Sequence, residues 1–246
     1  MGGLVAFTVP GFFCASDLFL RLPSRLSPVD NNALDPQDLP QPDHYFTANP
    51  ASSDELRPMD VTLAGRELQL VSALGIFSPG HIDTGTRVLL RKVPPAPPTG
   101  DLVDLGSGWG PIALTMALQS PQATVWAVDV NRRALDLVER NAKRAGVNNI
   151  HVCTPEEVPP HLSFSAMWSN PPVRIGKQAL HDMLDTWLPR LRKDAAALLV
   201  IQRHLGADSL HNWLSKNWQV ERTGSAKGFR VLSVQHKDEP SKPSES

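Results

Sequence analysis

The chain has 246 residues, 41% of them apolar, enough for one large domain or two small ones with a buried core. Its two cysteines, Cys14 and Cys153, lie far apart and exclude a disulfide framework or a cysteine metal cluster. The net charge of −1 is unevenly spread: residues 1–60 carry three Arg against eight Asp/Glu, residues 61–237 carry twenty Lys/Arg against fourteen Asp/Glu, and residues 238–246 add −2. The excess of +6 in the middle fits an RNA partner and is equally ordinary for a soluble enzyme.

Met1–Leu22 is apolar, but Pro10 and Asp17 interrupt it and no basic stretch precedes it. It reads as neither a membrane span nor a signal peptide. Pro23–Pro42 is rich in Pro, Asp and Asn and reads as a linker. Residues 1–42 are therefore expected to be a flexible extension, 43–237 the folded part and 238–246 a disordered tail. The expected compartment is the cytoplasm.

Alternating apolar positions over Met59–Leu63 and Glu67–Val71 predict a hairpin turning at Gly65. Gly75–Gly80 reads as a loop and Asp83–Lys92 as a helix with Val88, Leu89 and Leu90 inward. Val93–Thr99 is a proline-rich connection. From Asp101 strands near 101–105, 123–128, 149–153, 164–169 and 195–201 alternate with helices near 111–119, 132–145, 177–192 and 205–216. That alternation predicts a parallel α/β sheet with right-handed crossovers. Trp218–Arg222 and Phe229–Gln235 have no helix between them and are expected to pair antiparallel.

Chemistry enters at Asp101–Gly110, where the apolar strand residues Leu102, Val103 and Leu105 run into Gly106-Ser107-Gly108-Trp109-Gly110 and a helix opens at Pro111. Such a loop lets a cofactor approach bare backbone N–H groups. A dinucleotide fold would want G-x-G-x-x-G, whereas the spacing here is G-x-G-x-G. Asp104, just before the turn, would repel a pyrophosphate and favour an amine-bearing cation such as S-adenosylmethionine. Asp129 ends the next apolar run, placed to accept from two ribose hydroxyls. It, or Asn131, could equally cap the helix that follows. Ser169-Asn170-Pro171-Pro172 follows the run Phe164–Trp168. The prolines could simply stop the strand. Alternatively, the Asn170 side-chain oxygen and the Pro171 carbonyl are two acceptors on a turn stiffened by proline, suited to an exocyclic amino group.

In this order and spacing, six motifs resemble the class I S-adenosylmethionine-dependent methyltransferases. They are Gly75-Ile-Phe77-Ser78, Asp83-x-Gly85-Thr-Arg87, Asp104–Gly110, Asp129-Val130-Asn-Arg-Arg-Ala134, Asn170-Pro-Pro-Val-Arg174-x-Gly176-Lys177 and Lys227-Gly-Phe-Arg-Val-Leu232. The resemblance is strongest to the methyltransferase small domain branch, which includes ribosomal RNA guanine-N2 methyltransferases, and it runs from about His44 to His236.

The resemblance implies a Rossmann-like seven-stranded sheet of order 3-2-1-4-5-7-6, last strand antiparallel, over residues 99–237. Residues 43–98 would form a hairpin and helix cover over the cofactor site, with Phe77 and Asp83 nearest it. S-adenosylmethionine would lie on Asp104, Gly106, Ser107, Gly108, Gly110, Asp129, Val130, Phe77 and Asn170. Asn170, Pro171 and Pro172 would be catalytic, and Arg174, Lys177, Lys227 and Arg230 would hold an RNA substrate, ribosomal RNA or the small subunit, with Gln202 lining the pocket. No metal and no membrane are expected, and the histidines form no ligand pattern.

Two departures bear on the substrate. Many amino methyltransferases follow Asn-Pro-Pro with an aromatic that stacks on the base; here Val173 follows, leaving Trp168 and Phe77 as candidate substitutes. An acid after the third strand often binds adenine; here the chain reads Thr154-Pro155-Glu156, with Glu156 as the candidate. The leading reading is guanine-N2 methylation of ribosomal RNA. A protein glutamine N5-methyltransferase, an adenine-N6 methyltransferase and a non-catalytic RNA-binding module are the alternatives.

Overall fold

Two tight turns, each with both central residues in the left-handed region, set the two hairpins of the chain. Ala64 and Gly65 have φ of 48° and 75°, and Lys227 and Gly228 have φ of 49° and 79°. Such turns match the twist of the strands they join. The computed structural model describes residues 55–76 and 78–237. The expected extension at 1–42, the expected tail at 238–246 and Phe77 lie outside the described residues.

The first turn joins β1 (Leu56–Leu63) to β2 (Arg66–Ala73), with Leu63 opposite Arg66. After α1 (Thr84–Lys92) comes β3 (Thr99–Leu105), an inner strand of a seven-stranded sheet. β3 pairs parallel with β4 (Gln122–Val128) on one side and β6 (Phe164–Ser169) on the other. β5 (Ile150–Cys153) extends the sheet beyond β4, and β7 (Leu191–Gln202) beyond β6. β9 (Phe229–Gln235) then pairs antiparallel with β7, and β8 (Gln219–Ala226) antiparallel with β9. The order is β5-β4-β3-β6-β7-β9-β8. Numbered within the sheet this is 3-2-1-4-5-7-6, as the resemblance implies.

Alternation along the buried strands sends neighbouring residues to opposite faces. Val103, Met167 and Leu199 pack under α4 (Lys177–Trp187) and α5 (Ala207–Leu214). Leu102, Val125, Leu198 and Val200 pack under α1, α2 (Pro111–Gln119) and α3 (Arg132–Ala145). The β1–β2 hairpin lays Met59, Leu63, Leu70 and Val71 on the outer side of α2 and α3, against Leu114, Leu118 and Leu137.

A buried polar link fixes that hairpin. The Asn141 amide accepts from Val71 N–H at 2.8 Å and donates to the carbonyls of Val71 and Trp109, each at 3.0 Å. It pairs with Val71 much as another strand would, and ties hairpin, α3 and glycine loop together.

Some boundaries differ from expectation. α4 stops at Trp187, not near 192, because Pro189 has no N–H to continue the ladder. β7 therefore starts at Leu191. β8 runs on to Ala226, so the second hairpin turns on two residues instead of the longer Gly224–Gly228. Among the described residues no helix is long and apolar enough to cross a membrane.

Candidate active site

β3, β4 and β6 are parallel and end at one edge of the sheet, so the loops leaving them meet there. Gly106 and Ser107 donate their N–H groups to the Val128 carbonyl at 2.8 and 3.0 Å, tying the glycine loop to the tip of β4. Gly108 N–H reaches Asp129 Oδ2 at 2.8 Å, and Asn131 N–H reaches Asp129 Oδ1 at 2.9 Å. Each carboxylate oxygen keeps a lone pair for a further donor. Asn131, not Asp129, caps α3, accepting from Arg133 and Ala134 N–H. Burial pushes the Asp129 carboxyl above its ordinary range.

On the far side of the loop, Ser169 Oγ donates to the Leu105 carbonyl at 2.6 Å and pins the end of β6 to the end of β3. Pro172, at φ −74° and ψ 73°, forms an inverse γ-turn in which Val173 N–H donates to the Pro171 carbonyl at 2.8 Å. That carbonyl keeps its second lone pair. Asn170 points its amide nitrogen at the cover: Nδ2 donates to Asp83 Oδ2 at 2.5 Å and to Thr86 Oγ1 at 3.1 Å. Asp83 Oδ2 also caps α1 by accepting from Thr86 N–H at 2.9 Å. A carboxylate can only accept, so it dictates which end of the amide faces it. The Asn170 carbonyl oxygen is left as the acceptor.

Between these loops lies a cavity of about 300 Å³. Gly106, Gly108, Asp129, Val130, Asn131 and Pro155, which follow β3, β4 and β5, line it. So do Asn170, Pro171, Pro172 and Val173 after β6, with Gln202 of β7 and Phe229 of β9. Val130 is 44% exposed, an apolar side chain left open at the wall. A glycine loop, a carboxylate at the next strand tip and apolar flanks suit a nucleoside-bearing cofactor.

The structure thus brings Gly106, Gly108, Asp129, Val130, Asn170, Pro171 and Pro172 to one cavity, with Asp83 and Gln202. It places other candidates elsewhere. Asp104 is fully buried under the loop, its Oδ2 accepting from Ala113 N–H at 2.9 Å and its Oδ1 unpartnered. It anchors α2 and does not form the cavity wall, and burial raises its pKa to about 8. Gly110 serves packing, since a Cβ there would come within 3.2 Å of Val138. Ser107 is buried, with Oγ unpartnered, beside a smaller cavity shared with Asp83, Thr86 and Asn170. Arg230 forms an ion pair with Asp208 of α5 and lies outside the cavity wall. Lys177 and Lys227 are exposed outside the wall, and Arg174 falls in the short turn Val173–Ile175. Trp168 is 1% exposed within the core, so it cannot meet a substrate. Glu156 is exposed and off the wall; Pro155 takes that place, and Glu157 closes a capping box with Thr154.

Thr86, Ser169 and Phe229 fall inside the quoted motifs, but the sequence assigns none of them a role. Asp83 just before a helix is an N-cap pattern, which gives its bond to a backbone N–H of the first turn but not its bond to Asn170. Among the described residues no cluster of three or more metal-ligating side chains occurs.

Fold and cavity together define an α/β protein whose cavity at the carboxyl ends of the parallel strands is of a kind that suits a nucleoside-bearing cofactor. Residues 67–233 match the model of the methyltransferase small domain. The chain belongs to that family and is an S-adenosylmethionine-dependent methyltransferase. An uncharacterized protein of Bacillus subtilis, YbxB, is 26% identical over 78% of this chain and 98% of its own length. A ribosomal RNA small subunit methyltransferase C of Pseudomonas putida is 29% identical over 72% of this chain. The chain spans about half of that relative's length, 54%. Among solved structures, a Thermus thermophilus 16S rRNA guanine-N2 methyltransferase in complex with AdoMet and guanosine superposes with a TM-score of 0.66. It is 19% identical, over 74% of this chain and 51% of that one, a likeness of fold.

Proposed function

We propose that this enzyme methylates an exocyclic amino group of a nucleobase, guanine N2 in ribosomal RNA. The observation that carries the reading is the locked Asn170 amide. With Nδ2 held by Asp83 and Thr86, its oxygen is left as an acceptor on a residue that lines the cavity. Together with the Pro171 carbonyl it can take both N–H groups of an aromatic amine. The relatives that carry a ribosomal RNA name support the choice of substrate.

S-adenosylmethionine, when bound, supplies an activated methyl on a good leaving group. Gly106, Gly108 and Asp129 would hold its nucleoside, with Val130 and Pro155 covering the base. What remains for the chain is alignment and differential binding. The amine lone pair is delocalised into the ring, and hydrogen bonds from its protons to Asn170 and Pro171 return density to the nitrogen. That nitrogen becomes cationic as it is methylated, so the same acceptors bind the transition state more tightly than the substrate. The proton then leaves to solvent, and no general base is required.

The test is transfer of radiolabelled methyl from S-adenosylmethionine to ribosomal RNA and to small subunits from a strain deleted for the gene, with nucleoside analysis. N2-methylguanosine is expected, lowered about 100-fold or more by Asn170→Ala with cofactor binding retained. A methylated adenine would move the target base, and a methylated protein would overturn the reading.

A further inference from the structure

The cavity has a polar grip for an amino group, but Val173 stands where an aromatic could cover the base. The other aromatics nearby are occupied. Trp168 is in the core. Trp187 touches the cavity but is only 4% exposed. The guanidinium of Arg190 lies 4.7 Å from the Trp187 ring centroid, and Phe164 packs against the same ring at 6.0 Å.

Phe229 packs against the same core cluster as Trp168 but is not enclosed by it. It is half-buried and lines the same cavity as Asn170. It is the first residue of β9, directly after the Lys227–Gly228 turn and opposite Gln202 at the end of β7. Arg203 N–H donates to the Gly228 carbonyl at 2.7 Å and holds that turn in place. The ring also has a dedicated seat. A Cβ at Gly85 would lie 2.9 Å from Phe229 Cε1, 3.2 Å from Cδ1 and 3.1 Å from Asp83 Oδ2. Gly85 is in α1, where glycine is a poor helix former, and its φ is not positive, so the glycine supplies room and not conformation. That seat lies two residues from Asp83, the acceptor that orients Asn170.

We propose that Phe229 is the platform on which the target base stacks, held by the Gly85 seat so that the exocyclic amine meets Asn170. The inference rests on the nucleobase reading above and assigns the flat wall which that reading lacks. Stacking on an aromatic tolerates any base, so Phe229 contributes affinity and alignment, while selection of the base is left to the polar groups around it.

The experiment compares the full-length enzyme with Phe229→Leu, Phe229→Tyr and Gly85→Ala, using small ribosomal subunits from the deletion strain as probe. Cofactor affinity by calorimetry and melting temperature are measured beside kcat and KM. Phe229→Leu, which keeps apolar bulk, is expected to lose roughly 10- to 100-fold in kcat/KM for RNA. Its cofactor affinity should stay within about twofold. Phe229→Tyr should keep most of the activity; Gly85→Ala, which crowds both the ring and Asp83 Oδ2, should also lose activity, and the Phe229 variants are the ones that isolate the ring. Wild-type kcat/KM in Phe229→Leu, or a loss matched by lost cofactor affinity, would overturn the platform while leaving the enzyme's function intact. Absence of any methylated base with wild-type enzyme would instead overturn the nucleobase reading, and the platform with it.

Discussion

Asp104 offers a quantitative test of how this site is built. Its carboxyl is fully buried, accepts one backbone hydrogen bond from Ala113 and leaves Oδ1 without a partner. Burial is the largest cause of its raised pKa of about 8; the Ala113 bond opposes the rise and the nearby Asp129 adds to it. The folded state therefore holds a proton that the unfolded chain, with an ordinary carboxyl, has released above about pH 4. The sign follows: this group's contribution to stability is full in acid and is lost as pH rises towards 8. Across three pH units, from 5 to 8, one such proton amounts to at most about 4 kcal/mol, a large share of a typical domain's stability. Urea unfolding of wild type and Asp104→Asn at pH 5, 6.5 and 8 would read it. Asparagine can still accept from Ala113 but does not titrate. The gap between the two proteins should therefore move in favour of the asparagine variant by a few kcal/mol as pH rises, whatever other groups titrate in both. A gap independent of pH would refute the buried, protonated carboxyl.

Two further substitutions probe the cover. Asp83→Ala removes both the α1 cap and the group that orients Asn170; it should cost about 1 kcal/mol in stability. It should also lower kcat roughly 10-fold, as a bond worth roughly 1.5 kcal/mol no longer selects one amide orientation. Asp83→Asn, which can offer the same acceptor, should retain most of both, as chemical melts and methyl-transfer rates would show. Asn141→Ala strips three hydrogen bonds from buried backbone groups and should destabilise the fold by about 2–4 kcal/mol, read by urea melts.

The proposed cofactor half of the site was legible because it is local. Gly108 and Asp129, which bond to each other, are only 21 residues apart, within a single strand–helix–strand unit. Glycine spacing and an acid at the next strand tip carry that geometry in the sequence. Asp104 shows the limit of the same reasoning. An acid before a glycine turn looks like a ligand group, yet strand alternation and α2 packing bury it, which a charge pattern does not report. Asn170 was legible as a residue, but its orientation was not, since Asp83 lies 87 positions away. Phe229 stayed hidden for a related reason: the hairpin was visible, but the two-residue turn that places Phe229 opposite Gln202 depends on β8 extending to Ala226.

That division has a functional consequence. The residues that would hold the cofactor's nucleoside come mainly from the strand ends of the alternating core, whereas those proposed for the substrate add a helix of the cover and the terminal hairpin. The start of α1 reaches Asn170 through Asp83 and Thr86, and Phe229 through Gly85. Both contacts fall within four residues, so a shift of that helix would change amine orientation and the aromatic wall together. Neither contact involves Gly106, Gly108 or Asp129. Substrate alignment can therefore vary through α1 and the β8–β9 hairpin while the cofactor cradle stays fixed, and damage to α1 should separate methyl transfer from cofactor binding.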